Sequence, residues 1–138
     1  MILAFSKGIN YLYLSAASLR NASVSLLSVR PVLVTFLLAL AVNIVTWIFV
    51  GSISRLLTDN LAILHYNVTF GIDRIGNASD LYGIALVGLS LIVLNFIIAI
   101  IIGHKRERFL SIILMAMTTL VNLFLLLALY LIYLVNFS

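Results

Sequence analysis

Apolar residues fill three stretches of this chain without a single charged side chain. Pro31–Gly51, Leu81–Gly103 and Phe109–Leu134 contain no Asp, Glu, Lys, Arg or His, and together they make up about half of the 138 residues. At a rise of about 1.5 Å per residue, roughly 20 helical residues cross the hydrocarbon core of a bilayer, which is about 30 Å thick. Each stretch reaches that length, so the pattern predicts three transmembrane helices, linked by a long loop at 52–80 and a very short turn at 104–108. Such a short turn makes spans two and three an antiparallel hairpin. Pro31 suits the first turn of span one, where its missing N–H costs nothing.

Ahead of the first span the periodicity changes. Ile2, Phe5, Ile9, Leu12, Ala16 and Leu19 recur at three- and four-residue spacing. Lys7, Asn10, Ser18, Asn21, Ser25 and Ser28 follow the other face, interrupted by Leu14. This predicts an amphipathic helix lying in the membrane plane. The segment 1–30 is Ser-rich and has no acidic residue, a composition shared with transit peptides. Because it starts at Met1, it is expected to stay with the mature chain. It reads either as a plain anchor or as a docking face for a partner subunit. The expected fold is therefore an all-α membrane protein, with an interfacial segment at 1–30, a three-helix domain at 31–138 and a small external loop cap.

Composition supports the class and excludes others. The chain is 64% hydrophobic and 9% charged, where soluble domains carry about a quarter charged residues. The net charge of +4 raises the question of nucleic acid, but the placement of the charges answers it. Lys7, Arg20, Arg30, Lys105, Arg106 and Arg108 fall on one side of the predicted spans, against Arg55 and Arg74 on the other. That asymmetry predicts a cytoplasmic N-terminus, an external 52–80 loop and an external C-terminus in an inner membrane, with the basic side meeting anionic headgroups. Trp47, Phe49, Tyr82, Tyr130 and Tyr133 form a matching outer aromatic belt. The chain has no cysteine, which removes disulfides, thiolate metal sites and cysteine nucleophiles.

Inside the spans the informative residues are polar. Asn43, Asn95 and Asn122 each sit near the middle of a span, accompanied by Thr35, Thr46, Thr118 and Thr119. An amide in hydrocarbon needs partners, so these are expected to bond across helices. The alternative is that Asn43 lines a polar pore between copies of the chain. Proton or ion pathways usually carry ionisable groups at that depth, and the spans hold none. Gly83, Gly88, Ala99 and Gly103 leave shallow surfaces for close helix approach, which makes span two the expected central helix.

The loop is long and apolar for a connector, with Leu61, Ile63, Leu64, Tyr66, Val68, Phe70, Ile72 and Ile75. These residues are expected to pack on the span ends, on the membrane surface or on a partner. Leu64, Tyr66, Val68 and Phe70 alternate with His65, Asn67 and Thr69, a half-buried strand pattern. Asp73-Arg74-Ile75-Gly76 fits a type I turn. A hairpin-like cap is the expectation. His65, Asn67 and Asp73 read as a cluster in which Asp73 or Asn67 caps the turn and His65 bonds the backbone, or as a grip for a peptide, lipid headgroup or metal. One His with one or two carboxylates is a poor metal set, and His104 lies across the membrane.

The string Leu64-His65-Tyr66-Asn67-Val68-Thr69-Phe70-Gly71-Ile72-Asp73-Arg74-Ile75-Gly76 resembles the loop signature of uncharacterised small three-span membrane proteins of candidate-phylum bacteria. More loosely, over roughly 31–134, it is similar to the N-terminal domain of SdpI-type immunity membrane proteins, in which further helices follow. The resemblance is carried by His65, Asn67, Gly71, Asp73 and Gly76; it implies a three-span fold with a characteristic loop, and it motivates an immunity or sensor role as an alternative. The sequons at Asn21, Asn67 and Asn77 are expected by chance. No nucleophile–base–acid set, phosphate loop or carboxylate pair stands out, so neither an enzyme nor a cofactor is expected. The leading expectation is a non-catalytic accessory or scaffold subunit that associates with other membrane proteins or itself. The alternative is an immunity- or sensor-type protein binding an extracytoplasmic peptide or toxin through 64–76.

Overall fold

The computed structural model describes residues 17–57, 60–67, 69, 71–104 and 107–137, with Asn67 and His104 described by their backbone alone. Helix α1 covers 17–27; the apolar and polar positions of the expected amphipathic helix at 2–16 lie outside the described residues. After a break at Ser28 and Val29 the chain runs into α2 (Arg30–Leu56), then strands β1 (Leu61–Asn67) and β2 (Gly71–Asn77). A one-turn 3-10 helix (Ala78–Leu81) leads to α3 (Tyr82–His104) and α4 (Arg108–Phe137). All three long helices are long and apolar enough to cross a membrane, and the fold is compatible with a multi-pass membrane protein. The chain is not wholly helical: the cap is a two-stranded antiparallel sheet.

Pro31 lies in the first turn of α2 as its ring geometry prefers. The helix runs five residues beyond the expected end at Gly51. Its extra turn is held by packing, because Ile53 is fully buried among Val50, Ala62, Leu81 and Leu129. That cluster forms an apolar layer at the cap end, flanked by the ring pairs Trp47–Tyr82 and Phe49–Tyr133. A second apolar layer closes the opposite, basic end, where Leu26 of α1 packs with Val32, Ala99 and Met115. Leu19, on the expected apolar face of α1, is exposed. Helix α4 packs broadly on both α2 and α3, while α2 and α3 meet each other over less surface. Span three, rather than the expected span two, is therefore the central helix.

Between the apolar layers lies a polar one. Asn43 is buried, and each hydrogen-bonding group of its amide is used. Its Nδ2 donates to the Ala85 carbonyl of α3 at 3.0 Å and to Asn122 Oδ1 of α4 at 3.2 Å. Its Oδ1 accepts from the Trp47 indole at 3.1 Å. Asn122 returns a bond to the Thr118 carbonyl, and half-buried Asn95 donates to Thr118 Oγ1 at 2.8 Å. Ser111 Oγ reaches the Ala99 carbonyl at 3.1 Å, and Thr119 Oγ1 reaches the Thr35 carbonyl at 2.9 Å. Among the described residues no buried side-chain polar atom lacks a partner. Both amide hydrogens of Asn43 are thus bonded inside one chain, to α3 and α4.

Gly88 makes this layer possible. A Cβ there would stand 2.5 Å from Asn122 Oδ1 and 2.6 Å from Asn43 Nδ2, inside the bond the two amides share. Gly103 serves a milder version of the same purpose against Leu26 and Ser111, and Ala99 is fully buried. Gly83 does not share the expected packing role, since nothing lies within 4 Å of a Cβ built on it. Gly88→Ala is expected to destabilise the fold by about 1–3 kcal/mol, the usual cost of overpacking. Gly83→Ala should instead be neutral or gain up to about 1 kcal/mol of helix propensity. Unfolding titrations in mixed micelles measure both, and equal effects would contradict the close approach at Gly88.

Candidate functional site

The cap is built by a hairpin in which β1 ends at Asn67 and β2 already begins at Gly71, ahead of the turn that the sequence suggested. Gly71 opens β2 with φ +78°, a conformation that costs glycine no steric penalty. Asp73, Arg74, Ile75 and Gly76, expected as a type I turn, are instead the body of β2. Their backbone groups are taken up by the ladder with β1, which a turn would forgo. Gly76 is needed for space, because a Cβ there would run into the Leu64 side chain and the Asp80 carboxylate. Asn60, in the left-handed region at φ 54°, starts the hairpin, and its carbonyl accepts from the Ala78 N–H.

The pairing runs Ile63 to Ile75, His65 to Arg74 and Tyr66 to Ile72, so Leu64 and Asp73 stand outside the ladder. Irregularities of this kind re-aim side chains. Here Leu64 packs against the cap-end core while His65 meets Asp73. His65 Nδ1 donates to Asp73 Oδ1 at 2.6 Å; the expected bond from His65 to backbone gives way to this carboxylate. The two side chains are 62% and 44% exposed, so the pair contributes at most about 1 kcal/mol. Asp80 Oδ2 accepts from the Asn77 N–H at 3.1 Å and anchors the exit into α3. The Asn67 side chain lies outside what the structure describes.

A residue the sequence reading passed over ties the cap down. Asn136, in the last turn of α4, donates from Nδ2 to the Ile63 carbonyl and accepts at Oδ1 from the Ile63 N–H, both at 2.9 Å. Its amide thus occupies the edge of β1 as a neighbouring strand would. The only sequence signal was an amide just beyond the apolar run of span three. β1 is thereby flanked by β2 on one side and by Asn136 on the other.

Two clefts flank β1. One, of about 580 Å³, holds His65, Asp73, Arg74 and Asp80 along its polar side and Leu81, Ile84 and Ile132 along its apolar side. The other, of about 550 Å³, lies between β1 and the last turns of α4 and is almost wholly apolar. Among the described residues no three His, Cys, Asp or Glu side chains gather as a metal set. The site presents one guanidinium, one imidazole and two carboxylates beside apolar walls, which is chemistry for binding. On the hairpin Leu61, Tyr66, Ile72 and Ile75 remain 50–59% exposed.

Removing the Asn136 amide should loosen the cap without unfolding the helices. Asn136→Ala is expected to raise amide exchange in residues 61–67 about tenfold, the equivalent of about 1.4 kcal/mol. Exchange through α2 and α4 below the cap should stay unchanged. Hydrogen–deuterium exchange of the detergent-solubilised protein reads this directly, and unaltered exchange in β1 would contradict the clamp.

No family model, curated protein or solved structure matches this chain.

Proposed function

We propose that the chain is a non-catalytic integral protein of a bacterial inner membrane that works as an accessory or scaffold subunit. The observation that carries this reading is the cap: a hairpin fastened to the bundle by Asn136 and Leu64 that leaves Leu61, Tyr66, Ile72 and Ile75 half or more exposed. Exposed apolar side chains clustered on a fixed element mark interaction surfaces. The free edge of β2 adds main-chain donors and acceptors that a partner strand or loop can use. The charge asymmetry orients the protein with the cap outside and the Lys105, Arg106 and Arg108 turn in the cytoplasm. The partner on this reading is another membrane protein whose external segment covers the cap.

A second reading is supported by the polar cleft. His65 and Asp73, two of the residues that carry the resemblance to immunity-type proteins, line it together with Arg74. On that reading an extracytoplasmic peptide binds at 64–76. One experiment separates the two. Affinity purification from native membranes in a gentle detergent, with mass determination, should yield a partner at fixed ratio. Ile72→Asp with Ile75→Asp should release it, while His65→Ala should not. A lone chain that co-purifies with nothing would sink the subunit reading and leave the peptide reading as the one to pursue.

A further inference from the structure

We infer that the two clefts beside β1 form one binding site for a phospholipid whose headgroup carries both a phosphate and a primary ammonium. This site differs from the partner surface of Leu61, Ile72 and Ile75 and meets it at Tyr66. Leu64, His65 and Ile132 line both clefts, so the two adjoin at these side chains. Each is of the size that small-molecule sites have, roughly 300–1,000 Å³.

The position of the depression selects an amphiphile. Helix α4 starts at Arg108, and about 20 residues of helix span the hydrocarbon core. Ala128, at the foot of the apolar cleft, therefore lies near the far boundary of that core, and Val135 lies about 10 Å beyond it. The apolar compartment thus opens at the boundary between acyl chains and headgroups, where the upper part of an acyl chain can enter it from below. It is walled by Leu131, Leu134 and Val135 on one side and by Ile63 and Tyr66 on the other. The polar compartment opens beside it at headgroup level.

The charges of the polar compartment select the headgroup. Arg74 supplies one guanidinium, suited to a phosphate. Asp73 and Asp80 supply two carboxylates, and Asp73 is already bonded to His65. Asp80 accepts from the Asn77 N–H at Oδ2, and a carboxylate has further acceptor capacity. A headgroup with only negative charge would meet these carboxylates unfavourably. A quaternary ammonium has no N–H to donate to Asp80. A phosphate with a primary ammonium satisfies both Arg74 and Asp80, as phosphatidylethanolamine does.

The test uses the full chain, purified in mild detergent, delipidated and offered equal amounts of phosphatidylethanolamine, phosphatidylcholine and phosphatidylglycerol with identical acyl chains. Native mass spectrometry should find phosphatidylethanolamine retained at least fivefold over each of the others. Arg74→Gln and Asp80→Asn should each remove that preference. Leu131→Trp, placed on an exposed position of α4, should block retention of all three. Helical circular dichroism confirms that each variant is folded. Glycerophosphoethanolamine, which lacks acyl chains, should compete poorly. Equal retention of the three lipids, a preference that survives Arg74→Gln and Asp80→Asn, or full competition by the headgroup alone would overturn the assignment.

Discussion

The amide of Asn43 is the constraint on which the rest of the bundle depends. It is buried at mid-helix and bonds to α3, to α4 and to a side chain of its own helix. In water such bonds exchange with solvent at little net gain. In hydrocarbon the alternative partner is absent, and each interhelical bond contributes roughly 0.6–2 kcal/mol. Their directional requirement matters more than their size. Apolar side chains on three smooth helices tolerate many rotations and shifts, whereas an Asn43–Asn122 pair seated against Gly88 tolerates one register. The apolar layers on either side are then packed in the positions that register dictates.

The cap inherits its position from the same register. Asn136 stands 14 residues beyond Asn122 on α4, about four helical turns along. It therefore faces the same side of the helix and reaches the Ile63 peptide on the side where α2 delivers the chain. Ile53 and Leu129 complete the apolar floor under Ala62. A two-stranded hairpin is marginal alone. This one is ordered because one strand is clamped by a helix-borne amide and one bulged residue, Leu64, packs half-buried against the bundle. Among the described residues no further strand pairs with the opposite strand, and Ile72 and Ile75 are exposed, which is why the cap reads as a surface for something else to occupy.

Much of the framework was legible in the sequence because hydrocarbon imposes a simple rule: uncharged apolar runs of sufficient length. The three long helices follow that rule, and so does the need for mid-span asparagines to find partners. What pattern could not supply was pairing in three dimensions. Small residues mark close approach without saying which one is used, and Gly88, unlike Gly83, meets polar side chains across the interface. The Asp-x-x-Gly spacing at 73–76 matched a turn, yet strand pairing claimed those backbone groups and Gly76 answers to crowding from Leu64. The contact of His65 with Asp73 depends on two departures from regular pairing, and alternation alone has no means of placing them. Asn136 escaped notice because its role is defined by a peptide group distant in sequence.

A double-mutant cycle on Asn43 and Asn122 tests the central claim most directly. Asn43→Ala, Asn122→Ala and the double variant would be unfolded in mixed micelles under one set of conditions. The account predicts that the two losses are not additive, with a coupling of about 0.6–2 kcal/mol in favour of the pair. Strict additivity would mean that the two amides stabilise the bundle separately, and that helix register is set elsewhere.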